Sequence, residues 1–461
     1  MTTPTDIATA PADPAGASDP TAAPDANTAS DATTALDATA APADVIDALL
    51  NGLTAAEASI VSELRARRPI TIAQAQASHD ALFAGVPADA DVSRADRIAI
   101  AVFTARLHGD EHAADRYRSL AGDDDARLTA IGAAAASAAV HGPYGRFPSA
   151  ELAAFDQAGP TYRAPADLVE RIGARLAAAL EYAHALVFHP RDATPDWPAA
   201  LTDAGWSASA VVTISQEVAF LTFQLRVAAG LAALVGSPLV HAEPVARRAG
   251  SAAGTDGAVK RGTPDAASDA STARRPTRFT TAQLDWDAWV PPVEESALSD
   301  VQRDALVDAG RAKSPYFRLL ARDPAILKAR TLADKDIFYN TVDGLPRAER
   351  ELSAAATSRV NGCIYCASVH SRFAAHYGKR PDDVQRLLDE GVAGAQEPRW
   401  RALIDGAAAL AQTPPAFTPA HADALRAEGL ADAEISDAIH AAAFFAWANR
   451  LMLALGEPRV P

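Results

Sequence analysis

The two cysteines of this chain, Cys363 and Cys366, lie three residues apart, and His370 follows four residues after the second. On a helix, spacings of three and four residues place all three side chains on one face. Asn361 and Gly362 indicate a turn just before them, so Cys363 is expected at or near a helix N-terminus, where the helix dipole and free N–H groups favour the thiolate form. His370 is then placed to hydrogen-bond or deprotonate the nearer thiol, that of Cys366.

Glu351 lies twelve residues before Cys363, on the preceding predicted helix. If that helix folds back, its carboxylate reaches the same spot and orients the imidazole of His370, which gives a nucleophile, a base and an orienting group. A thiolate that attacks a peroxide becomes a sulfenic acid, and a thiol one turn away condenses with it to form a disulfide. An external dithiol can then reduce the pair by exchange. This two-electron cycle needs no metal and no organic cofactor.

The pattern E-x11-C-x-Y-C-x3-H, with PRAERE before it and GKRPDDVQRL after it, resembles the signature of the AhpD-like alkylhydroperoxidases. These proteins belong to the carboxymuconolactone decarboxylase (CMD) superfamily. The resemblance covers residues 278–461. It implies an all-helical fold, oligomers built by swapping or packing helices, and the reduction of hydroperoxides.

The resemblance also implies a role for each residue of the pattern. Cys366 would attack the peroxide and Cys363 would resolve the sulfenic acid, while His370 and Glu351 would form a proton relay. Tyr365 occupies a position where the best-known members have histidine, which affects the details of the relay rather than the class of reaction. The implied reductant is a dithiol, either a lipoyl-bearing protein or a thioredoxin-like protein.

Composition excludes several other classes of protein. The chain has 461 residues and a formal net charge of −16, and ten of its acidic residues lie in positions 1–64, before the first basic residue, Arg65. No basic stripe or nucleic-acid motif is seen, which argues against nucleic-acid binding. The N-terminus lacks the basic start and apolar core of an export signal, and no continuous apolar run predicts a membrane span. Two cysteines cannot form a secreted disulfide framework, so a reducing cytoplasmic location is expected.

The chain divides into four parts by composition. Residues 1–43 consist mainly of Ala, Asp, Pro and Thr, lack large apolar side chains, and are predicted to be a disordered acidic tail. Residues 243–277 have no apolar period and are predicted to be a flexible linker. The blocks 44–242 and 278–461 both have helical patterns with few strand-like alternations, so the predicted class is all-α.

The two blocks also match one another in sequence. At an offset of 253 positions, Arg94, Arg97, Arg106 and Gly109 correspond to Arg347, Arg350, Arg359 and Gly362; at an offset of 224, Gly205, Phe220 and Arg226 correspond to Gly429, Phe444 and Arg450. Coincidence between two alanine-rich helical segments is the alternative. The matched arginines and glycines favour a duplication, and hence tandem AhpD-like domains.

In the first block, other residues replace those that would carry out the chemistry. The positions that correspond to Glu351, Cys363, Cys366 and His370 hold Ile98, Asp110, Ala113 and Tyr117. Without a thiol or a base, the block 44–242 is predicted to be a degenerate CMD-like domain that is inactive as a peroxidase. We expect it to pack on the second block as an internal, asymmetric partner, and the whole chain to form homo-oligomers.

Other interpretations of the motif remain open at this stage. A structural zinc site would need further ligands, for which His376 and His440 are available without zinc-finger spacing. A thioredoxin-like domain would need an α/β pattern, which is absent. Glu351 could be an ordinary solvated helix residue. A non-turnover redox sensor or interaction protein and a CMD-type decarboxylase are the alternative functions, since a fold does not fix a reaction.

The last predicted helix holds several large or polar residues. His440 lies among alanines and is expected to be a satisfied core residue rather than a catalytic one. Phe444, Phe445 and Trp447 are expected to fill the core, with a pocket wall as the alternative. Arg450 is expected either to pair with a carboxylate at a subunit contact or to be a surface charge.

Overall fold

The computed structural model describes residues 44–122, 126–147, 149–243 and 275–461. These residues are mostly helical, with one pair of short strands, so the all-α prediction is confirmed. The predicted tail and most of the predicted linker, up to residue 274, lie outside the described residues.

The helices of the two halves are as follows. The first half contains α1 (Ala55–Ala66), α2 (Pro69–Phe83), α3 (Arg94–Leu107), α4 (Glu111–Ser119), α5 (Ala126–Ala138), α6 (Ala166–Ile172), α7 (Ala174–Phe188), α8 (Asp196–Asp203) and α9 (Ala208–Leu234). The second half contains α10 (Asp300–Ala305), α11 (Pro315–Leu320), α12 (Pro324–Tyr339), α13 (Arg347–Asn361), α14 (Ile364–Gly378), α15 (Pro381–Glu390), α16 (Pro398–Ala411), α17 (Pro419–Ala427) and α18 (Asp432–Ala454). Strands β1 (Asp285–Ala288) and β2 (Gly456–Arg459) form an antiparallel pair, in which Asp285 is opposite Arg459.

Helix boundaries follow local sequence signals. The side chain of Thr54 caps α1 in a reciprocal pair with Glu57, and the side chain of Ser93 accepts a hydrogen bond from the first turn of α3. Helices α2, α12, α15 and α16 each begin with proline, whose missing N–H needs no partner in the first turn. Helix α13 ends at Asn361, and its C-cap residue, Gly362, has a left-handed φ of 82°.

Helices α9 and α18 pack against each other and are buried along nearly their whole length. A Cβ atom at Gly230 of α9 would lie 2.6 Å from Ile439 of α18, so the missing side chain allows the two helices to approach closely. Trp447 of α18 packs on Phe220 and Phe223 of α9, with ring centroids 5.2 and 5.6 Å apart. The core of the molecule is therefore shared between the two halves.

Several contacts between the halves occur in reciprocal pairs. Arg226 of α9 donates to the carbonyl oxygen of Leu410, near the end of α16, at 2.8 Å. Arg450 of α18 donates to the carbonyl oxygen of Val187, near the end of α7, at 3.0 Å. Arg450 is completely buried, so both sequence-based interpretations of it, as a carboxylate partner and as a surface charge, are wrong. Its guanidinium satisfies the carbonyl oxygen of Val187 at the end of α7 and also donates to that of Ala446 within α18.

Helices α2 and α12 form a second pair across the halves. Thr71 of α2 donates to Asp336 of α12 through its backbone N–H at 2.9 Å and its hydroxyl at 2.7 Å. Arg68, just before α2, binds Asp437 of α18 with two hydrogen bonds of 2.9 and 2.8 Å. These buried charge-assisted contacts fix the register of one half on the other.

Helix α9 is the one described helix that is long and apolar enough to cross a membrane by length and composition. All of its most apolar 18-residue window is buried inside the protein. A core helix of a soluble protein has the same properties, so the composition of α9 follows from its central position.

Candidate active site

The candidate site is built on the hairpin of α13 and α14. Helix α14 begins at Ile364, so Cys363 is its N-cap rather than a residue of its first turn. Gly362 makes the sharp turn between the helices, and a Cβ there would lie 2.6 Å from the side chain of Arg191, which belongs to the first half. The turn that presents the first cysteine is therefore restricted both by its backbone conformation and by a neighbouring side chain.

The two cysteines are free, buried and 3.2 Å apart. Cys366 lines a cavity of about 70 Å³ between α11, α12, α14 and α18. Cys363, which is 1% exposed, is not among the described residues that line this cavity. A small molecule that enters would therefore meet Cys366 first.

The two thiols differ in acidity. Burial, followed by the hydrogen bond and the charge of Cys366, raises the pKa of the Cys363 thiol well above its ordinary value. Burial alone would also raise the pKa of Cys366, but the hydrogen bond from Cys363, the charge of His370 and a hydrogen bond from Asn449 together hold it below its ordinary value. Burial and the neighbouring sulfur thus oppose the thiolate that the helix N-terminus is expected to favour at Cys363. The thiolate is favoured at Cys366.

Asn449 of α18 is a site residue that the sequence analysis missed. Its side chain hydrogen-bonds both cysteines and lowers the pKa of each. It is fully buried, donates to the hydroxyl of Ser358 at 3.0 Å and accepts a hydrogen bond from Asn361 at 3.0 Å. This network connects α18 to the end of α13 and holds the amide at the sulfurs.

Glu351 and His370 meet across the hairpin, as the sequence predicts. His370 Nδ1 donates to Glu351 Oε2, and Arg347 Nε donates to the other carboxylate oxygen. Burial would raise the pKa of Glu351, yet the charges of His370 and Arg347 lower it. Burial would lower the pKa of His370, but the charge and hydrogen bond of Glu351 raise it. Glu351 is completely buried, so its interpretation as a solvated helix residue is wrong.

Arg347 is a second residue missed from the sequence. It precedes Glu351 by four positions, a spacing at which oppositely charged residues pair on a helix. Its guanidinium carbon stands 3.9 Å from the ring centroid of Tyr339. This stacking holds the cation against the carboxylate on the side away from His370.

The cavity walls are mainly aromatic and apolar. Phe445 packs on the imidazole of His370 with ring centroids 4.0 Å apart, and Phe338 lies 5.6 Å from it. Tyr365 and Phe444 also line the cavity, so the pocket-wall alternative holds for Phe444 and Phe445. The other lining residues are Tyr316, Phe317, Arg330, Asp334, Tyr339, Arg347, Val369, Phe373, Ala448 and Met452.

The remaining histidines and tryptophan do not join the site. His440 is buried, and its Nδ1 hydrogen-bonds the carbonyl oxygen of Ser436 at 2.7 Å, as expected for a core histidine. His376 lies on the exposed part of α14. Trp447 donates to Gln216 of the first half at 3.0 Å. Within the described ranges, no group of three or more His, Cys, Asp or Glu side chains is arranged to hold a metal ion.

The site can therefore provide a thiolate, a thiol in contact with it and an imidazolium beside a carboxylate. The nucleophile lines the cavity, and the second thiol is placed to condense with an oxidised first sulfur. A protonated imidazole next to the thiolate both stabilises its charge and can supply a proton to a leaving group.

Comparisons with known proteins agree with this part of the molecule. Residues 324–409, from the start of α12 to near the end of α16, match the sequence model of the carboxymuconolactone decarboxylase family. Comparisons with curated proteins and with solved structures gave no match. The matched segment includes Glu351, both cysteines and His370, and it does not reach α18 or the first half. The chain thus contains, around its thiol pair, a segment similar to the carboxymuconolactone decarboxylase family.

Proposed function

We propose that the second half of the chain is a thiol-dependent peroxidase of the AhpD-like type. The observation that carries this proposal is the pair of free thiols 3.2 Å apart, of which Cys366 lines the cavity and has the lowered pKa. The ion pair of Glu351 and His370 next to it supports proton transfer. The similarity to the carboxymuconolactone decarboxylase family supports the general class of protein, which includes both decarboxylases and peroxidase-like enzymes.

In the proposed reaction, the Cys366 thiolate attacks the terminal oxygen of a hydroperoxide. A sulfur–oxygen bond forms, the O–O bond breaks, and the departing alkoxide takes a proton from His370 and leaves as an alcohol. The Cys363 thiol then attacks the sulfenic acid of Cys366, which forms a disulfide and releases water. Glu351 keeps the imidazole oriented and positively charged until the proton is transferred.

The disulfide must be reduced for a second turnover. Cys366 is 5% exposed at the cavity, and Cys363 lies behind it, so the reductant has to enter a narrow space. A dihydrolipoyl arm on a carrier protein is a slim dithiol and fits this restriction, and a thioredoxin-like protein is the alternative. Exchange through Cys366 would release the reduced pair and an oxidised donor.

We further propose that the first half is a degenerate copy that acts as an internal partner of the second. Helices α3 and α13 begin at the matched arginines, Arg94 and Arg347, and α9 and α18 begin 224 positions apart. The reciprocal contacts of Arg226 and Arg450 support the same pairing. Such an arrangement resembles a dimer whose two subunits are joined in one chain and only one of which retains the thiols.

The test is peroxide consumption with a dithiol donor, together with mass spectrometry of the two sulfurs. Cys366→Ser is expected to abolish turnover, because it removes the nucleophile. Cys363→Ser is expected to leave Cys366 open to oxidation to sulfinic and sulfonic acid, because no second thiol can close the disulfide. The exposed histidine of α14 provides a control, since His376→Gln should keep the wild-type rate while His370→Gln lowers it.

Two outcomes would decide against the proposal. Turnover that persists in Cys366→Ser would place the chemistry elsewhere. A wild-type protein that forms the disulfide once but is not reduced by dihydrolipoamide or by thioredoxin would behave as a sensor rather than as an enzyme.

A further inference from the structure

Arg330 of α12 is a buried cation at the cavity; its charge contributes to the lowered pKa of Cys366, but the proposed peroxide reaction gives it no contact with the substrate. It is 5% exposed and lines the same cavity as Cys366. Its Nε atom is buried and has no hydrogen-bond partner, and no carboxylate in the described part of the chain lies within ion-pair distance of its guanidinium. The other arginine of the cavity wall, Arg347, is already bound to Glu351.

The surroundings of Arg330 compensate only part of its charge. Its guanidinium carbon lies 5.0 Å from the ring centroid of Phe444, 5.8 Å from that of Trp447 and 6.0 Å from that of Tyr316. Aromatic faces attract a cation but do not use the directional N–H donors of the guanidinium. Burying a guanidinium without a carboxylate partner is costly. The Cys366 thiolate offsets part of this cost, since its interaction with Arg330 lowers the pKa of that thiol, and the directional N–H donors still favour an anion that enters the cavity.

The other charged side chains that face the cavity form no ion pair with the guanidinium of Arg330. Asp334 lines the cavity one helical turn further along α12, yet it forms no ion pair with Arg330. His370 and Arg347 both bind Glu351. Arg330 therefore has donors left for a ligand, and its fork of N–H groups matches the geometry of a carboxylate.

We propose that Arg330 binds the carboxylate of a small organic hydroperoxide whose peroxide end reaches Cys366. The aromatic walls suit an apolar or aromatic body, and the cavity of about 70 Å³ limits its size. The assignment of the reacting end rests on the proposed peroxidase function, whereas carboxylate binding does not. In the reaction the Cys366 sulfur gains the terminal oxygen, the O–O bond breaks, and a hydroxycarboxylate leaves with a proton from His370.

The first experiment compares two alkylating agents that differ in charge. Iodoacetate carries a carboxylate and iodoacetamide does not, so the ratio of their rates at Cys366 measures anion recognition, while the acidity of the thiol affects both rates. Arg330→Gln is expected to lower the iodoacetate-to-iodoacetamide ratio by about tenfold, the effect of losing a charge-assisted hydrogen bond. Lys328→Gln removes the same charge from an exposed position of α12 and should leave the ratio unchanged. An unchanged ratio in Arg330→Gln would overturn the proposal.

The second experiment measures binding without any reaction at sulfur. Benzoate should protect Cys366 of the wild-type protein from iodoacetamide, and benzamide, its neutral analogue, should protect much less. The protection should be lost in Arg330→Gln and partly kept in Arg330→Lys. If the glutamine variant does not fold, the reduced protection in the lysine variant tests the proposal instead. Equal protection by benzoate and benzamide would contradict anion recognition.

The two proposals can fail separately. If benzoate protects Cys366 but no hydroperoxide is consumed, the carboxylate site stands and the peroxidase function falls. If hydroperoxides are consumed but an aryl hydroperoxide with a ring carboxylate is used no better than its methyl ester, the carboxylate site falls and the peroxidase function stands.

Discussion

Under the proposed duplication, the two halves of the molecule place different side chains at corresponding positions. In the second half, Cys363 is the N-cap of α14 and Cys366 lies in its first turn. In the first half, Asp110 is the N-cap of α4, and its carboxylate accepts a hydrogen bond from the backbone N–H of Ala113 at 2.8 Å. The N-cap position is thus filled by the proposed resolving thiol in one half and by an ordinary helix cap in the other.

The position of the base differs in the same way. In the second half, His370 packs on Phe338 and pairs with Glu351 at the cavity. In the first half, Tyr117 packs on Phe83 with ring centroids 5.0 Å apart, is 1% exposed and accepts a hydrogen bond from Gln224. The tyrosine ring fills its site, and its hydroxyl is already bonded to Gln224.

Under the proposed duplication, the helical framework and the proposed chemistry are separable. Both halves bury their helices through the same kinds of contact, while the proposed activity depends on a few side chains in one of them. Ile98 is buried where the second half has Glu351, and an aliphatic side chain cannot stabilise an imidazolium. As the degenerate copy that we propose, the first half keeps its packing without the residues of the proposed reaction.

The largest effect is expected when the second half is given the residue of the first at the buried carboxylate. Glu351→Ile leaves His370 and Arg347 without their shared partner inside the protein. We expect the rate of peroxide reduction to fall about 1000-fold, within the range that general acid–base groups contribute. The free energy of unfolding should fall by about 3–5 kcal/mol, the cost of breaking a buried ion pair on one side. Stopped-flow kinetics and urea denaturation measure the two effects.

The matched control for this change is Glu351→Gln. Its amide keeps the shape of the side chain and one hydrogen bond but removes the negative charge, so the rate should fall while the free energy of unfolding changes less. A wild-type rate in Glu351→Ile would show that the carboxylate has no part in the chemistry.

The second prediction concerns stability in the first half. Tyr117→Ala should remove a buried ring and lower the free energy of unfolding by about 3–5 kcal/mol, as truncations of buried aromatic residues do. Peroxide reduction by the folded variant should stay within about twofold of the wild-type rate. Tyr117→Phe is the control, since it keeps the ring and loses only the oxygen that accepts from Gln224. Loss of activity at temperatures where Tyr117→Ala is folded would mean that the first half takes part in catalysis.

The sequence predicts the parts of this site whose residues lie close together along the chain. Glu351, Cys363, Cys366 and His370 lie on two consecutive helices, so helical spacing and one turn suffice to bring them together. The pairing of Arg347 with Glu351 could have been found from their spacing of four residues. The all-helical class can likewise be predicted from local signals, because it follows from the period of the apolar residues, the prolines at helix starts and the glycines at helix ends.

The parts that were missed depend on tertiary packing. Asn449 and Arg330 reach the cavity because α18 and α12 pack beside α14, and no local pattern indicates which of their faces does so. Arg450 was matched to Arg226 in the sequence comparison, yet its buried carbonyl partner lies in the other half. The acidity of the two sulfurs also required the structure, since burial and neighbouring charges decide it.

The third prediction tests the missed asparagine. Leu225 occupies the position in α9 that corresponds to Asn449, so Asn449→Leu makes the second half resemble the first at this point. Because the amide lowers the pKa of Cys366, its loss should raise that pKa and move the inflection of the alkylation rate to higher pH. At neutral pH less thiolate is then present, and the rate should fall on the order of tenfold, the worth of a hydrogen bond to a charged group.

The control for this change is Asn340→Leu. Asn340 donates to Asp336 at 2.9 Å and is not among the residues that line the cavity. Its replacement should leave the pH of the inflection unchanged. An inflection that stays in place in Asn449→Leu would leave Cys363, His370 and Arg330 as the groups that lower the pKa of Cys366.

The smallest effect is expected when a thiol is added to the first half. Ala113→Cys, made in a Cys366→Ser background, places sulfur at the position that corresponds to Cys366. Ala113 is completely buried next to the carboxylate of Asp110, and both burial and a neighbouring negative charge favour the neutral thiol. Peroxide consumption should therefore remain at the level of Cys366→Ser, and mass spectrometry should find the new thiol reduced. If the added thiol were oxidised as fast as Cys366, a cysteine anywhere in this framework would suffice, and the acidity that Asn449 and His370 give to Cys366 would not explain its reactivity.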